Sequence, residues 1–403
     1  MRLNMKDRKV VTKAMCNQYH KSGKSGKMQI LNQFVDMTGY NRHYAAWLLR
    51  QHGRKVRVGP QLALQGDVRL RVRKQHPRKY DDEVFRALKK VWEILDFISS
   101  RRLHAALPEV IPRLVTFREL RIKKSVQKRL LEVSPATIDR MLRPERKKYA
   151  LKGRATTKPG TLLKHQIPIR TFSDWDDAEP GFLEMDLVGH DGGRAEGDYC
   201  FTLDMTDIAT GWTEQAAVQN KAQKWVFEAL LDLRQRLPFA IRGLDSDNGS
   251  EFINNHMVAY CTDQKITFTR SRPWRKNDNC YIEQKNWSIV RRHAGYARYE
   301  TPEACQLLNQ LYRVLHDYNN FFMPSMKLKE KIRDGAKVTK RYDTPKTPYA
   351  RVAHSDKIPK IVKEQLKRHY EQLNPAALKR QIEKLQKQLS HQLARNRRKE
   401  AVA

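Results

Sequence analysis

The stretch from Pro180 to Pro324 constrains the chain most. Within it the spacing of apolar residues switches repeatedly between the period of a strand and the period of a helix. Phe182–Val188, Asp198–Met205 and Trp212–Val218 read as strands, and the Gly-rich turn His190–Gly197 joins the first two as a hairpin. Lys221–Leu237 carries Ala222, Val226, Ala229, Leu230, Leu233 and Leu237 on one helical stripe. Ala240–Asp245 reads as a fourth strand, Phe252–Asp263 as a helix, Ile266–Thr269 as a short strand and Asn279–Ala294 as a helix. Thr301-Pro302 opens a last helix that runs toward Tyr318. Three strands followed by helix, strand, helix, strand, helix give a mixed five-stranded α/β sheet with helices packed against it.

Three acids stand at informative places in this frame. Asp186 lies inside the first strand, in Leu183-Glu184-Met185-Asp186-Leu187-Val188. Asp247 ends the fourth strand, in Asp245-Ser246-Asp247-Asn248-Gly249-Ser250-Glu251-Phe252. Glu283 lies on a helix, with 35 residues between it and Asp247. Cutting a phosphodiester requires an activated water and a stabilised leaving oxygen, and two divalent ions about 4 Å apart provide both. Such hard ions take oxygen ligands. One Asp within a sheet, one at an adjacent strand end and a Glu from a facing helix form a suitable set. Asp245 and Asp204 compete for the role; Asp245 shares a strand face with Asp247, and the Asn-Gly flank favours Asp247. Glu251 reads as a helix N-terminal charge. His190 either orients the site or is a satisfied structural histidine, and the second reading is favoured.

Charge decides the partner class. Lys and Arg number 79 against 44 Asp and Glu, a formal +35. An excess of that size, spread over nearly the whole length, fits a phosphate backbone better than an amphipathic membrane anchor. No run of eighteen apolar residues is present, and the N-terminus lacks a signal-peptide core. Five scattered cysteines form no C-x-x-C pair, which points to a reducing cytoplasm without a zinc or disulfide frame.

The flanks read as helical. In residues 1–57, Ile30, Leu31, Phe34 and Val35 stripe a helix over Lys27–Met37; Thr38-Gly39-Tyr40 turns; a second helix follows from Asn41 with Tyr44, Trp47 and Leu48 on its inner face. That is the outline of a helix-turn-helix or of any helical hairpin, and the cations Arg42, Arg50, Arg54 and Lys55 favour DNA. In residues 80–149, Asp81 caps a helix bearing Val84, Phe85, Leu88, Val91, Trp92 and Leu95. Val126–Glu132 and a helix opened by Ser134-Pro135 form a second helix-turn-helix-like pair, which offers Arg140 and Arg143 to a groove. One of the two pairs is open to a purely structural reading. Residues 150–177 read as a basic linker, and 325–403 as a basic region with a long helix broken near Leu373-Asn374-Pro375. Its stripe of Ile382, Leu385, Leu389 and Leu393 fits either helix pairing or a solvated tail.

The Asp-Asn-Gly-Ser-Glu-Phe string, the 35-residue gap and the Asn319-Asn320-Phe321-Phe322 string resemble the catalytic core of integrase-type transposases of bacterial insertion sequences and of retroviral integrases. The resemblance covers a little over a third of the chain. It implies a ribonuclease-H-like integrase core over residues 178–324, with Asp186, Asp247 and Glu283 as catalytic metal ligands for two Mg²⁺ ions per site, Mn²⁺ being an alternative. It also implies a DNA substrate at the ends of a mobile element, a second DNA as target, a homo-oligomer on DNA, and a cytoplasmic, nucleoid-associated setting in a bacterium. Lys285, Arg291 and Arg292 on the helix of Glu283 are candidate DNA contacts, as are Arg272, Trp274, Arg275 and Lys276 in the loop before it. With only Cys16 among the first 150 residues, the zinc module of retroviral integrases is missing, and the helix-turn-helix pairs take its place. A non-catalytic descendant and a nuclease that cuts without joining are the rival readings.

Overall fold

The computed structural model describes residues 3–57, 63–65, 79–148, 179–194, 196–246, 249, 251–252, 254–270, 280–335 and 337–400. They divide into two compact units, Met1–Lys79 and Tyr80–Ala403.

In the first unit three helices enclose a small core. Asn4 caps α1 (Met5–Lys21), its side chain accepting from the N–H groups of Lys6 and Asp7. α2 (Lys24–Thr38) ends on Gly39, whose φ of 66° is left-handed and free of strain only without a Cβ. Asn41 then caps α3 (Arg42–Gln51) by accepting from His43 N–H. Cys16, Phe34, Ala45 and Leu49 are fully buried where the helices meet. The inner-face placement of Tyr44 and Trp47 is corrected here. Ala45, Leu48 and Leu49 occupy that face at i, i+3 and i+4, and the helical step turns Tyr44 and Trp47 outward, 48% and 52% exposed. Beyond α3 come β1 (Lys55–Arg57) and β2 (Ala63–Gln65), paired antiparallel with Lys55 opposite Gln65. The sequence reading did not contain this hairpin.

The second unit opens with α4 (Asp82–Ile94), α5 (Ser100–Thr116), α6 (Lys124–Leu131) and α7 (Pro135–Lys148). Asp81 accepts from Val84 N–H at the start of α4. α5 is new relative to the sequence reading. Pro108 and Pro112 stand inside it, where each removes a donor from the helix ladder, and the burial of Leu103, Leu107, Val110, Ile111 and Leu114 outweighs that loss.

The strands β3 (Phe182–Gly189), β4 (Phe201–Asp207), β5 (Thr213–Val218), β6 (Gly243–Ser246) and β7 (Thr267–Arg270) form one mixed sheet in the order β5-β4-β3-β6-β7. The first three are antiparallel, and β6 and β7 run parallel to β3. Alternation along each strand sorts the side chains into two unlike faces. Leu183, Met185, Leu203, Met205, Ala216 and Val218 make an apolar face, packed with residues of α8 (Gln223–Arg236) and α9 (Asn255–Asp263). The opposite face carries Glu184, Asp186, Thr202, Asp204, Thr206, Thr213 and Gln215. It is polar and yet largely covered: α10 (Cys280–Lys285) lies on β3 and β4, and α12 (Pro302–Phe322) lies on β5. Between α10 and α11 (Arg292–Ala294) the chain makes a π-helical turn, Asn286–Arg291. The single helix Asn279–Ala294 of the sequence reading is therefore wound more widely at its centre, a distortion common at functional sites.

After α12 the chain forms a hairpin, β8 (Leu328–Asp334) and β9 (Lys337–Tyr342), then α13 (Pro348–His354), α14 (Lys360–Gln372) and α15 (Pro375–Glu400). The break falls at Leu373-Asn374-Pro375, where Asn374 accepts from the N–H groups of Ala376 and Ala377. Tertiary packing resolves the two readings of the last helix. Ile382 and Leu389 are buried, α15 packs along α12, and a continuous core runs from α4 through α12 to α15. Ile382→Ala is therefore expected to lower unfolding stability by about 2–4 kcal/mol, read from the urea midpoint of the full chain; a solvated tail would leave the midpoint unchanged.

Candidate active site

The site grows out of the polar face of the sheet. β3 alternates apolar and acidic residues, Leu183-Glu184-Met185-Asp186-Leu187, so both acids leave the strand on the same side. Their surroundings separate them. Glu184 is fully buried, and its Oε2 accepts from the N–H groups of Tyr281 and Ile282, each at 3.0 Å. The first turn of α10 is thus tied to the centre of the sheet. Asp186 is half-buried; its Oδ1 accepts from Leu187 N–H at 2.8 Å and its Oδ2 from Asn286 Nδ2 at 2.6 Å. Asn286 follows α10 at three residues beyond Glu283, so a hydrogen bond links the strand carboxylate to the helix carrying the other acid. Glu283 itself is exposed.

The parallel register sets Ser246, the last residue of β6, beside β3. Met185 pairs with Ser246, and the residues covalently next to them are Asp186 and Asp247. Asp247 lies outside the described residues, and so do Arg272, Trp274, Arg275 and Lys276.

The competing acids have structural partners. Asp245 is fully buried and accepts from the Thr269 hydroxyl. Asp204, opposite Asp186 in the β3–β4 register, accepts from Gln215 Nε2 at 2.9 Å and from Thr213 Oγ1 at 3.1 Å. Burial pushes its carboxyl up to about 7, against the pull of those donors and of Lys285. Its Oδ2 is buried with no hydrogen-bond partner among the described residues, and the same holds for Asn286 Oδ1. His190 is buried and held through one ring nitrogen only, its Nδ1 having no hydrogen-bond partner among the described residues, so it is structural as favoured but not fully satisfied. Its Nε2 is 2.7 Å from Thr202 Oγ1, which in turn meets Tyr312 Oη at 2.6 Å, and burial holds the ring down to about 3, neutral at pH 7.

The cations on this helix are engaged within the chain. Lys285 donates to the Gly211 carbonyl at 3.2 Å, and burial lowers its ammonium to about 8 although Asp204 opposes the shift. Arg291 donates to the Gly189 carbonyl at 2.9 Å and lies 5.0 Å from the centre of the Tyr296 ring. Arg292 pairs with Asp96, which Lys379 of α15 also reaches at 2.8 Å. Arg42 donates to Asn32, Arg50 to the Ala46 carbonyl and Arg140 to Thr137, while Arg143 is exposed on α7.

Sequence reasoning gave Glu184 no role. The signal was present: two acids two residues apart on a strand share a face, so any helix brought over that face meets both. Among the described residues no cluster of three His, Cys, Asp or Glu side chains is preformed for a metal ion, and no helix is long and apolar enough to cross a membrane.

Residues 176–276 match the model of the integrase core domain. The chain is 39% identical over 352 residues to the uncharacterized protein y4rM of Sinorhizobium fredii (strain NBRC 101917 / NGR234), an alignment spanning 87% of this chain and 96% of that protein. Solved structures similar to it include the catalytic core domain of BIV integrase, at 18% identity and a TM-score of 0.29 over 47% of this chain and 98% of that one. The HTLV-2 integrase catalytic core domain in complex with magnesium is another, at 14% identity and a TM-score of 0.28 over 36% and 90%. By its relationship to y4rM and by the domain match, the chain belongs to the family of that protein and carries an integrase core domain of ribonuclease-H-like fold.

Proposed function

We propose that the chain is a DNA-breaking and DNA-joining enzyme, a polynucleotidyl transferase that moves a mobile DNA element. The observation that carries this reading is the Asp186–Asn286 hydrogen bond. It couples an acid in the sheet of an integrase core to the helix of Glu283, with Asp247 covalently next to the strand residue that pairs beside Asp186.

The donor chemistry fits a hard divalent cation. Every candidate ligand offers oxygen, and Asp204 Oδ2 and Asn286 Oδ1 beside them are buried with no hydrogen-bond partner among the described residues. Asp186, Asp247 and Glu283 would hold Mg²⁺ or Mn²⁺. Bound there, the ions supply Lewis-acid activation of water and neutralise charge on the leaving oxygen. Asn286 keeps the Asp186 carboxylate in one orientation, and Glu184 keeps the helix of Glu283 seated on the sheet. The first reaction is hydrolysis: water adds to the phosphorus at an element end, the P–O3′ bond breaks, and the element keeps a 3′-hydroxyl. In the second reaction that hydroxyl displaces a 3′-oxygen in target DNA, one P–O bond replacing another, so no side-chain nucleophile is required. The helical N-terminal region binds the terminal inverted repeats, and two protomers or more hold the two ends together.

The test uses the full chain and a plasmid carrying its coding region with native flanks. Divalent-dependent nicking at short inverted repeats, followed by joining to a second plasmid, is the expected result, and excess chelator should abolish both. Cutting that never joins would favour a nuclease. Absence of any metal-dependent cutting would sink the proposal.

A further inference from the structure

The exposed aromatic pair of α3 has no place in the core of its unit. Tyr44 and Trp47 stack on each other with centroids 6.1 Å apart and planes 17° apart. Tyr44 also meets Tyr40 edge-on at 5.2 Å, and Tyr40 meets the fully buried Phe34 at 6.0 Å. An aromatic ladder therefore runs from the core to the surface and fixes Trp47 in place, so little side-chain entropy is left to lose on contact with a partner. One turn on either side of Trp47 are the exposed residues His43 and Arg50. Beyond the C-terminus of α3, Lys55 and Arg57 are exposed on the same face of β1.

Charge identifies the partner. From Met37 to Gly66 the sequence has no Asp or Glu, and Met1–Lys79 holds 19 Lys and Arg against three Asp. An exposed aromatic surface within so basic a unit is poorly matched to an acid-free protein surface and well matched to a duplex, whose grooves present apolar base edges between two rows of phosphates. The elements complete the case: two helices joined through a Gly turn, then an antiparallel hairpin, the arrangement of a helix-turn-helix with a wing.

We infer that the first unit docks on double-stranded DNA as a winged helix-turn-helix, in which Tyr44 and Trp47 on α3 select sequence by apolar contact with base edges in the major groove, while Arg50, Lys55 and Arg57 bind phosphates without selecting. This rests on the reading of the chain as a DNA-acting enzyme and adds which side chains discriminate. Apolar contact with the thymine methyl is the form of base recognition open to such rings.

The experiment is a selection of randomised DNA duplexes on the full chain, with chelator present so that nothing is cut. The recovered consensus duplex and a scrambled one are then titrated by fluorescence anisotropy. Wild type should prefer the consensus. Tyr44→Ala/Trp47→Ala should lose about tenfold of that preference while keeping its affinity for the scrambled duplex, and Trp47→Phe should retain part of it, which separates loss of contact from loss of fold. Lys55→Ala/Arg57→Ala should weaken both duplexes equally and reduce the slope of log affinity against log salt by about two. Undiminished preference in the aromatic double variant overturns the inference. So does a change in its light-scattering mass with preference intact, which would assign the pair to self-association. If wild type recovers no consensus yet cuts DNA with metal, this inference fails and the catalytic reading stands.

Discussion

Asp186→Asn should leave the protein folded and bound to DNA while slowing strand cleavage by about 10³-fold. The substitution is nearly isosteric, and the position is only half-buried, so no cavity and no stranded charge results. Asn286 can still donate to the new amide oxygen, which preserves the link between β3 and the helix of Glu283 at the expense of the local bond from Leu187 N–H. What disappears is a negative oxygen on the face that would carry the ions. Charge stabilisation by a bound ion is worth several kcal/mol in the transition state, and about 4 kcal/mol corresponds to the stated factor. Nicking of a labelled duplex in Mg²⁺ and in Mn²⁺, with melting temperature and DNA affinity measured in parallel, reads the three properties separately. Cleavage at the wild-type rate would remove Asp186 from the site and leave the metal-dependent proposal without its strand carboxylate.

Glu184→Ala should act on the same site through stability. The Glu184 carboxylate lies fully buried beneath α10 and accepts two N–H groups of its first turn. The tether acts on the first turn of that helix, whose N–H groups have no partner within the helix itself, so it fixes where the helix starts on the sheet. Alanine leaves both donors unsatisfied, at about 1–3 kcal/mol each, and the expected loss is about 3 kcal/mol of unfolding stability. Activity should fall further than DNA affinity, because Glu283 sits one residue beyond Ile282. Glu184→Gln keeps an acceptor oxygen and loses only the charge assistance, so it should cost about 1 kcal/mol and retain most of the activity. Urea unfolding and the nicking assay on both variants check the pair. An alanine variant as stable and as active as wild type would show that α10 is positioned by something else.

Legible in the residues alone were the order of the elements in the core, the mixed five-stranded sheet, the cap at Asp81, the helix break at Leu373-Asn374-Pro375 and the acids Asp186 and Glu283 as residues of strand and helix. Those features follow from local rules: a two-residue or 3.6-residue period, a capping oxygen, a proline at a helix start. What each face meets depends on packing between distant elements. Period alone shows that Glu184 and Asp186 share a side of β3, but the helix that covers that side divides their tasks, burying one as an anchor and leaving the other at the edge of the site. Amphipathic spacing identified α15, and its burial against α12 depends on residues some seventy positions earlier. On α3 the spacing of large apolar residues put Tyr44 and Trp47 inside with Leu48; packing instead takes Ala45 in with Leu48 and Leu49, which sends Tyr44 and Trp47 outward. A sequence encodes which residues point the same way, and long-range packing free energy chooses which of those directions is inside.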